Sequence, residues 1–433
     1  MSDTKPLPNR WTVAIMGTLL QVCLGTVYAW SYFQKPIVTT YGWSNSQTAW
    51  TFSLAICFLG LSAAWGGINM VKYGPRKLAC AGGILFATGY LIGAAGLMMQ
   101  NMYILWLGYG VIGGCGLGLG YVTPVATAAK WFPDKKGFIT GMVVMGFGFG
   151  ALIMSKVIAP VFMSMTGGNL VQVFLYIGIL MYILTLPAAS YMINPPAGYC
   201  PPGFTPPVAT AASQAADNLT AGQCIGSSVF YRMWLIFFCN ITAGIMFIGF
   251  QSPMIQDLLR ESYAAKYLDP AALTAALAGA GATLIGISSI FNGVGRFFWG
   301  GLSDKIGRIQ AFRLILVSQV LVFVGLVYIK SPIIFGALVC YVLLCYGGGF
   351  GTMPSFVMDV FGAPRMAAVY GTILTAWAAG GVVGPQVAAI IKDTAGASAG
   401  TYTFYTGAGF LIVGALIALT LSNNRYQGKT ASN

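Results

Sequence analysis

Residues 300–308 read Gly-Gly-Leu-Ser-Asp-Lys-Ile-Gly-Arg, and residues 67–76 read Gly-Ile-Asn-Met-Val-Lys-Tyr-Gly-Pro-Arg. Each stretch ends one apolar run and opens the next. Gly307 and Gly74 sit where the chain must reverse, a place that favours a residue without Cβ. Lys305 and Lys72 stand at the closing end of a helix, where the macrodipole favours a cation. Asp304 is placed to cap a neighbouring helix, and Val71 occupies the same position in the earlier copy. Each copy follows the second apolar run of its half, so one unit is used twice.

The composition around these stretches sets the class. Of 433 residues, 57% are apolar and 7% charged, against about 25% charged in soluble domains. The mean hydropathy is +0.77. One buried core cannot hold so much apolar surface, and disorder needs low hydrophobicity. The apolar runs reach about 20 residues or more, the length of a helix across a bilayer and about twice that of a barrel strand. Twelve runs follow one another, roughly 11–34, 46–71, 78–99, 102–129, 137–163, 171–193, 232–257, 272–301, 310–329, 332–358, 366–391 and 400–422. The first is longer than a signal-peptide core and reads as an uncleaved helix. Asn194 to Ser228 is rich in Pro, Ala, Gly and Thr and nearly uncharged. The expected fold is an all-α integral membrane protein with twelve transmembrane helices. They form two pseudo-symmetric six-helix halves, 1–193 and 229–433, joined by a central cytoplasmic linker over 194–228.

The formal net charge is +13, but the Lys and Arg residues lie in short loops between apolar runs. Location therefore argues for a lipid bilayer and against a nucleic-acid partner. With the N-terminus in the cytoplasm, only Lys35, Arg260, Lys266, Lys330 and Lys392 fall in loops or helix ends on the far side. That bias, about three to one, places both termini in the cytoplasm of a multi-pass protein of the cell (inner) membrane. The chain has no His, which removes imidazole bases and His metal ligands. Its nine Cys include no C-x-x-C pair. No metal, cofactor or catalytic residue is expected, since nucleophile–base pairs and paired carboxylates are lacking in the sequence pattern. A monomer is expected.

The stretch from Gly300 to Arg308 resembles the G-x-x-x-D-[RK]-x-G-R loop of the major facilitator superfamily, with Val71 a departure in the first copy. Within that superfamily, four segments resemble the oxalate/formate antiporter family and the related monocarboxylate porters of the lactate type. They are Lys130-Trp131-Phe132-Pro133-Asp134-Lys135-Lys136-Gly137 with Thr140-Gly141, Tyr231-Arg232-Met233-Trp234, Asn292-Gly293-Val294-Gly295-Arg296, and Tyr346 through Gly349 to Pro354. The resemblance covers almost the whole chain. It implies a transporter whose site lies between the halves near the midplane.

Arg296 is the leading site candidate. It precedes Lys305 by nine residues, roughly 13 Å along a helix, which puts it near the middle of a ~30 Å hydrocarbon core. A cation there costs at least ~2.5 kcal/mol unless it meets water or a partner. A guanidinium is a fork-shaped donor suited to a carboxylate, and Asn292, one turn away, shares its face. The resemblance implies that the matching arginine binds the substrate carboxylate. It also places Tyr28, Tyr121 and Tyr346 on cavity-lining helices. Lys156 falls about 30 Å beyond Lys136, at the far interface, where a lysine snorkels. Lys35 and Asp257 fall at the outer ends of their runs, either as a gate or proton-coupling pair or as two solvated charges. The glycine pairs Gly114/Gly118, Gly116/Gly120, Gly146/Gly150, Gly347/Gly351 and Gly380/Gly384 read as close-packing faces.

Two departures bear on the substrate. The resemblance implies a second cation, a lysine in run eleven, for a dianion such as oxalate; here that position is Trp377. One intramembrane cation matches a monoanion. Animal monocarboxylate porters carry an acid one turn before the arginine, where this chain has Asn292, so Asp257 or a proton travelling with the substrate has to serve any coupling. The expected function is a secondary active transporter moving a small monocarboxylate of the lactate or pyruvate type, with a proton. The alternative is an oxalate/formate-type anion exchanger.

Overall fold

The computed structural model describes residues 8–196, 198–204, 219–362, 365–421 and 426. Lys5, Arg425 and Lys429, cations on the side assigned to the cytoplasm, and linker residues 205–218 lie outside the described residues, as does the side chain of Lys136. Among the described residues, twelve helices are long and apolar enough to cross a membrane. The first six are α1 (Arg10–Tyr41), α2 (Asn45–Tyr73), α3 (Pro75–Met98), α4 (Met102–Trp131), α5 (Phe138–Met165) and α6 (Leu170–Ser190). The second six are α7 (Ser228–Ala264), α8 (Pro270–Ile306), α9 (Arg308–Leu326), α10 (Pro332–Phe361), α11 (Met366–Thr394) and α12 (Ala399–Leu419). Each expected run coincides with one helix. The protein is a multi-pass, all-helical membrane protein.

Several helices outrun their apolar stretches. α1 continues past Lys35-Pro36 to Tyr41, because Thr39 Oγ1 donates to the Lys35 and Pro36 carbonyls (3.0 and 3.1 Å) and Gly42 at φ 70° supplies the stop. α7 and α8 have 37 residues each, about 55 Å against a ~30 Å core. Their polar ends therefore stand in water, and Asp269 caps α8 by accepting from the Ala272 N–H at 2.9 Å.

Lipid replaces water as the outer solvent, so the usual inside and outside are reversed. Leu321 is 71% and Ile183 62% exposed, whereas Arg296 is 0% exposed. The repeat is visible in the backbone. Gly74 (φ 75°, ψ 155°) and Gly307 (φ 89°, ψ 147°) make the same left-handed bend between the second and third helix of each half. The fastenings around the bends differ. Arg308 binds Asp304 at 2.6 Å and Asp359 of α10 at 2.9 Å, whereas Val71 is almost fully exposed and the first half uses Arg10–Asp134 (2.9 Å).

The two groups of six meet along α2 against α11 and α5 against α8. Backbones come very close here: a Cβ on Gly60 or Gly67 would strike the Leu374 or Ala367 carbonyl of α11, and one on Gly148 would strike Gly293 of α8. Every glycine of the five pairs faces atoms that a Cβ would crowd. Within the second group, Gly295 and Gly351 bring α8 and α10 together at the level of Arg296. Two helices are also irregular near mid-membrane. α1 tightens to a 3-10 turn over Thr26–Ala29, and α11 is interrupted at Leu374.

A Cβ at position 351 would overlap the Arg296 carbonyl, while Gly301 faces open space. Gly351→Ala is expected to cost about 1–3 kcal/mol by overpacking, and Gly301→Ala close to nothing. Melting temperatures of the two purified variants in detergent check the contrast.

Candidate functional site

The site is assembled around Arg296 by local features of several helices. Pro124 of α4 has no N–H, so the Gly120 carbonyl four residues earlier lacks its helical donor. Thr123 Oγ1 donates to that carbonyl at 3.3 Å, and Gln21 Nε2 of α1 donates to the Tyr121 carbonyl at 2.9 Å. These contacts fix Tyr121 on the inner face. Pro354 does the same to the Phe350 carbonyl of α10. The 3-10 turn of α1 carries Tyr28, and the interruption of α11 lies between Tyr370 and Trp377. Irregular backbone at this depth is what a membrane transporter uses to line a site.

Arg296 Nη1 donates to the Val144 carbonyl of α5 at 3.2 Å and to Tyr121 Oη of α4 at 3.5 Å. Its Nε donates to Asn292 Oδ1 at 3.5 Å, and Nη2 has no partner. All three bonds are longer than the ordinary ~2.9 Å. The guanidinium carbon also lies 4.8 Å from the Phe350 ring centre and 5.5 Å from that of Phe147, contacts worth up to ~2 kcal/mol where water is excluded. A cation with five donors is thus held in place without being saturated.

Aromatic side chains complete the walls. Tyr28 and Tyr346 share a hydroxyl hydrogen bond of 2.7 Å, and Tyr121 and Tyr370 one of 3.5 Å. Each pair joins one group of six helices to the other. The Trp377 indole packs edge-on against Phe350 (4.6 Å between centroids), Tyr121 (5.2 Å), Phe147 (5.5 Å) and Tyr28 (6.1 Å). Its Nε1 is buried near the Tyr346 hydroxyl. Arg296 also lines a cleft of about 180 Å³ that runs past Gly300 and Gly301 to Asp304, at the end bearing the basic loops.

The structure brings Arg296, Asn292, Tyr28, Tyr121, Tyr346 and Trp377 together. It does not bring Lys35 and Asp257 together as a pair. Asp257 binds Lys392 at 2.5 Å within the second group. Lys35 crosses between groups but donates to Gln256 Oε1 (2.9 Å), whose amide donates to Ser252 (3.1 Å). The carboxylate that does bridge the groups at this end is Asp393, which accepts from the Ser46 N–H (3.0 Å) and Asn45 Nδ2 (3.1 Å) at the start of α2. Lys156 donates to Thr283 Oγ1 at 2.7 Å, which pins its head to the neighbouring group at the far interface.

Sequence reasoning did not single out Phe147, Phe350, Tyr370 or Asp393. Tyr370 was legible in principle, since it stands two helical turns before Trp377 and so on the same face. Phe350 likewise follows Tyr346 by one turn. Nothing in the Gly-Phe-Gly-Phe-Gly run marks Phe147 over Phe149.

With this geometry in place, comparison with known proteins is informative. Residues 14–385 match the family model described as "Major Facilitator Superfamily". The chain is 26% identical to the "Oxalate:formate antiporter" of Oxalobacter formigenes, over 91% of this chain and 88% of that one. It is 25% identical to "Apicoplast pyruvate carrier 1" of Toxoplasma gondii, over 84% and 81%. Among solved structures, a bacterial homologue of the human lysosomal transporter Spinster, inward-facing and unoccupied, superposes with a TM-score of 0.67 at 16% identity, covering 96% and 97% of the two chains. That last likeness concerns the fold alone. The chain belongs to the major facilitator superfamily of transporters.

Arg296 touches three helices of the site, so its removal is read directly in binding. Arg296→Ala is expected to abolish substrate binding while the protein remains folded in detergent, and Arg296→Lys to restore little, because a point charge cannot replace the planar fork. Uptake into proteoliposomes by the Ala variant at the wild-type rate is the result that removes Arg296 from the site.

Proposed function

We propose that this transporter is a secondary active carrier of a small monocarboxylate, of the lactate or pyruvate type, moved together with a proton. The observation that carries the reading is the unpartnered Nη2 of a fully buried arginine. A carboxylate is the ligand that a partly used guanidinium takes best. Tyr28, Tyr121, Tyr346 and Asn292 form its surroundings, and the bias of the basic loops supports a reading in which the cleft between Arg296 and Asp304 and both termini face the cytoplasm of a cell (inner) membrane.

Charge number favours a monoanion. Trp377 fills the wall of the site nearest Tyr121 and Phe350 with a neutral donor, so Arg296 answers one negative charge. The relatives' names agree with a small carboxylate, one an oxalate:formate antiporter and one a pyruvate carrier. The first of them keeps an oxalate/formate-type exchanger as the second reading. For coupling we assign Asp257. Its carboxylate is half exposed at the outer end and pairs with Lys392. Lys35, held to Gln256 across the two groups, is the gate residue in this scheme.

Reconstituted protein tests both readings. Radiolabelled lactate is expected to accumulate against its gradient when protons flow inward, and Asp257→Asn is expected to retain exchange but lose accumulation. Accumulation that survives in that variant assigns the proton to the substrate instead.

Oxalate separates the monoanion reading from its rival. An unpaired buried charge costs several kcal/mol, so oxalate is expected to compete with lactate at least 100-fold more weakly, about 2.7 kcal/mol. Trp377→Lys is expected to narrow that gap. Strong oxalate competition in the unmodified protein selects the exchanger.

A further inference from the structure

We infer that the cavity between the ends of α7, α11 and α12 is a second ligand site, which takes an amphipathic carboxylate of medium chain length. Its head meets Lys392 and the opening turn of α12, and its apolar tail lies among Phe250, Phe335 and Phe404. The inference goes beyond the substrate reading and does not rest on it.

The cavity holds about 540 Å³, inside the span of roughly 300–1,000 Å³ typical of small-molecule pockets. Its floor is Phe250, Met254, Phe335 and Phe404, and the three rings are at most 7% exposed. Phe247 backs two of them, stacked on Phe404 at 5.9 Å and edge-on to Phe335 at 6.5 Å between ring centres. The apolar floor is therefore preformed. It is also separate from the Arg296 site. Lys392 stands fifteen residues beyond Trp377 along α11, roughly 22 Å, and neither Arg296 nor Trp377 lines the cavity.

The polar groups sit at the mouth. Lys392 and Asp257 pair there, and the lysine side chain is the more enclosed, 28% exposed against 53%. The start of α12 is the second feature. A 3-10 turn, Gly396–Ser398, runs straight into this 21-residue helix, and no side chain caps either start. Gly396, Ala399 and Gly400 line the mouth and leave the backbone uncovered. A Cβ on Gly396 would meet nothing within 4 Å, and one on Gly400 only the Phe404 ring at 3.7 Å. A helix N-terminus carries partial positive charge and favours an anion. A lysine and a helix start above an apolar floor call for a negative head and a hydrocarbon tail in one molecule. Asp257 is the rival carboxylate for Lys392, and its half-exposed pair costs little to break. The occupant enters from water, since Asp257 and Gly396 at the mouth are exposed while the rings behind them are buried.

Titration calorimetry on the full-length protein in detergent, with butyrate, hexanoate and octanoate, tests the site. Affinity is expected to rise about fourfold per CH₂. Gly400→Leu fills the cavity from a position with room for a Cβ and is expected to abolish octanoate binding. Lys392→Gln is expected to weaken octanoate at least tenfold, the loss of a charged partner. Asp257→Asn removes the rival and is expected to tighten octanoate up to about fivefold. These opposite signs decide the matter if Gly400→Leu does not fold. Arg296→Ala is expected to bind octanoate as the wild type does. Failure of folded wild type to bind octanoate, binding that survives in folded Gly400→Leu, or effects of one sign at Lys392 and Asp257 overturns the inference. Octanoate binding lost in Arg296→Ala also overturns it and assigns octanoate to the central site. Phospholipid that co-purifies with the wild type but not with Gly400→Leu overturns it as well, by giving the cavity to the bilayer.

Discussion

A guanidinium held at zero exposure in the middle of a bilayer is the constraint on which the rest of this structure turns. Placing Arg296 there costs at least ~2.5 kcal/mol before compensation. The compensation comes from both six-helix groups at once: the Val144 carbonyl and Tyr121 hydroxyl from the first, and Asn292 and the Phe350 face from the second. The cation is thus a joint between groups as well as a donor. Any motion that separates α5 from α8 removes the Val144 contact and exposes the charge, unless an anion or water replaces it. Under the proposed function, substrate binding and the relative movement of the halves are tied by the same atoms.

The glycines make that arrangement possible. Arg296 can reach α4 and α5 only if α8 lies close to them, and Gly148 meeting Gly293 sets that approach. Gly295 and Gly351 then bring α10 in from the other side, so that Phe350 covers the guanidinium. The prolines act in a complementary way. By removing a backbone donor they loosen α4 and α10 locally, next to Tyr121 and Phe350; Thr123 meets the freed Gly120 carbonyl, and Gln21 binds the adjacent Tyr121 carbonyl. In hydrocarbon each unsatisfied backbone group is expensive, so such breaks persist where a neighbouring polar side chain reaches them.

These layers were unequally legible in the sequence. The twelve helices, the repeated loop and the depth of Arg296 followed from run length, loop charge and the 1.5 Å rise, which are local quantities. Trp377 and the three tyrosines were reached through family resemblance, since Tyr in a membrane helix is otherwise no signal. Phe147 and Phe350 escaped because an apolar ring facing a cation looks like one facing lipid; only the third dimension separates Phe147 from Phe149. The pairing of Lys35 and Asp257 failed for a related reason. Charges at helix ends find partners by lateral position, which run boundaries do not encode. Asp257 therefore met Lys392 on its own side, while Asp393 reached across to α2.

The two ends of the interface between the halves are built from different materials, and this bears on how the carrier opens. At the outer end the groups are joined by polar contacts: Lys35 to Gln256, Lys156 to Thr283, and Asp393 to the start of α2. Water competes well for such bonds, so separation there exchanges protein hydrogen bonds for hydration at little net cost. Toward the basic end, α2 and α11 meet through Gly67 and the Ala367 carbonyl, and α5 and α8 through Phe138 and Phe297 at 6.1 Å. Parting these surfaces forfeits dispersion contacts that water does not restore. The charged clamp of Asp304, Arg308 and Asp359 lies wholly within the second group, and Val71 leaves the first copy of the loop without an acid. Among the described residues, packing contributes to closure at that end and hydrogen bonds contribute to closure at the outer end.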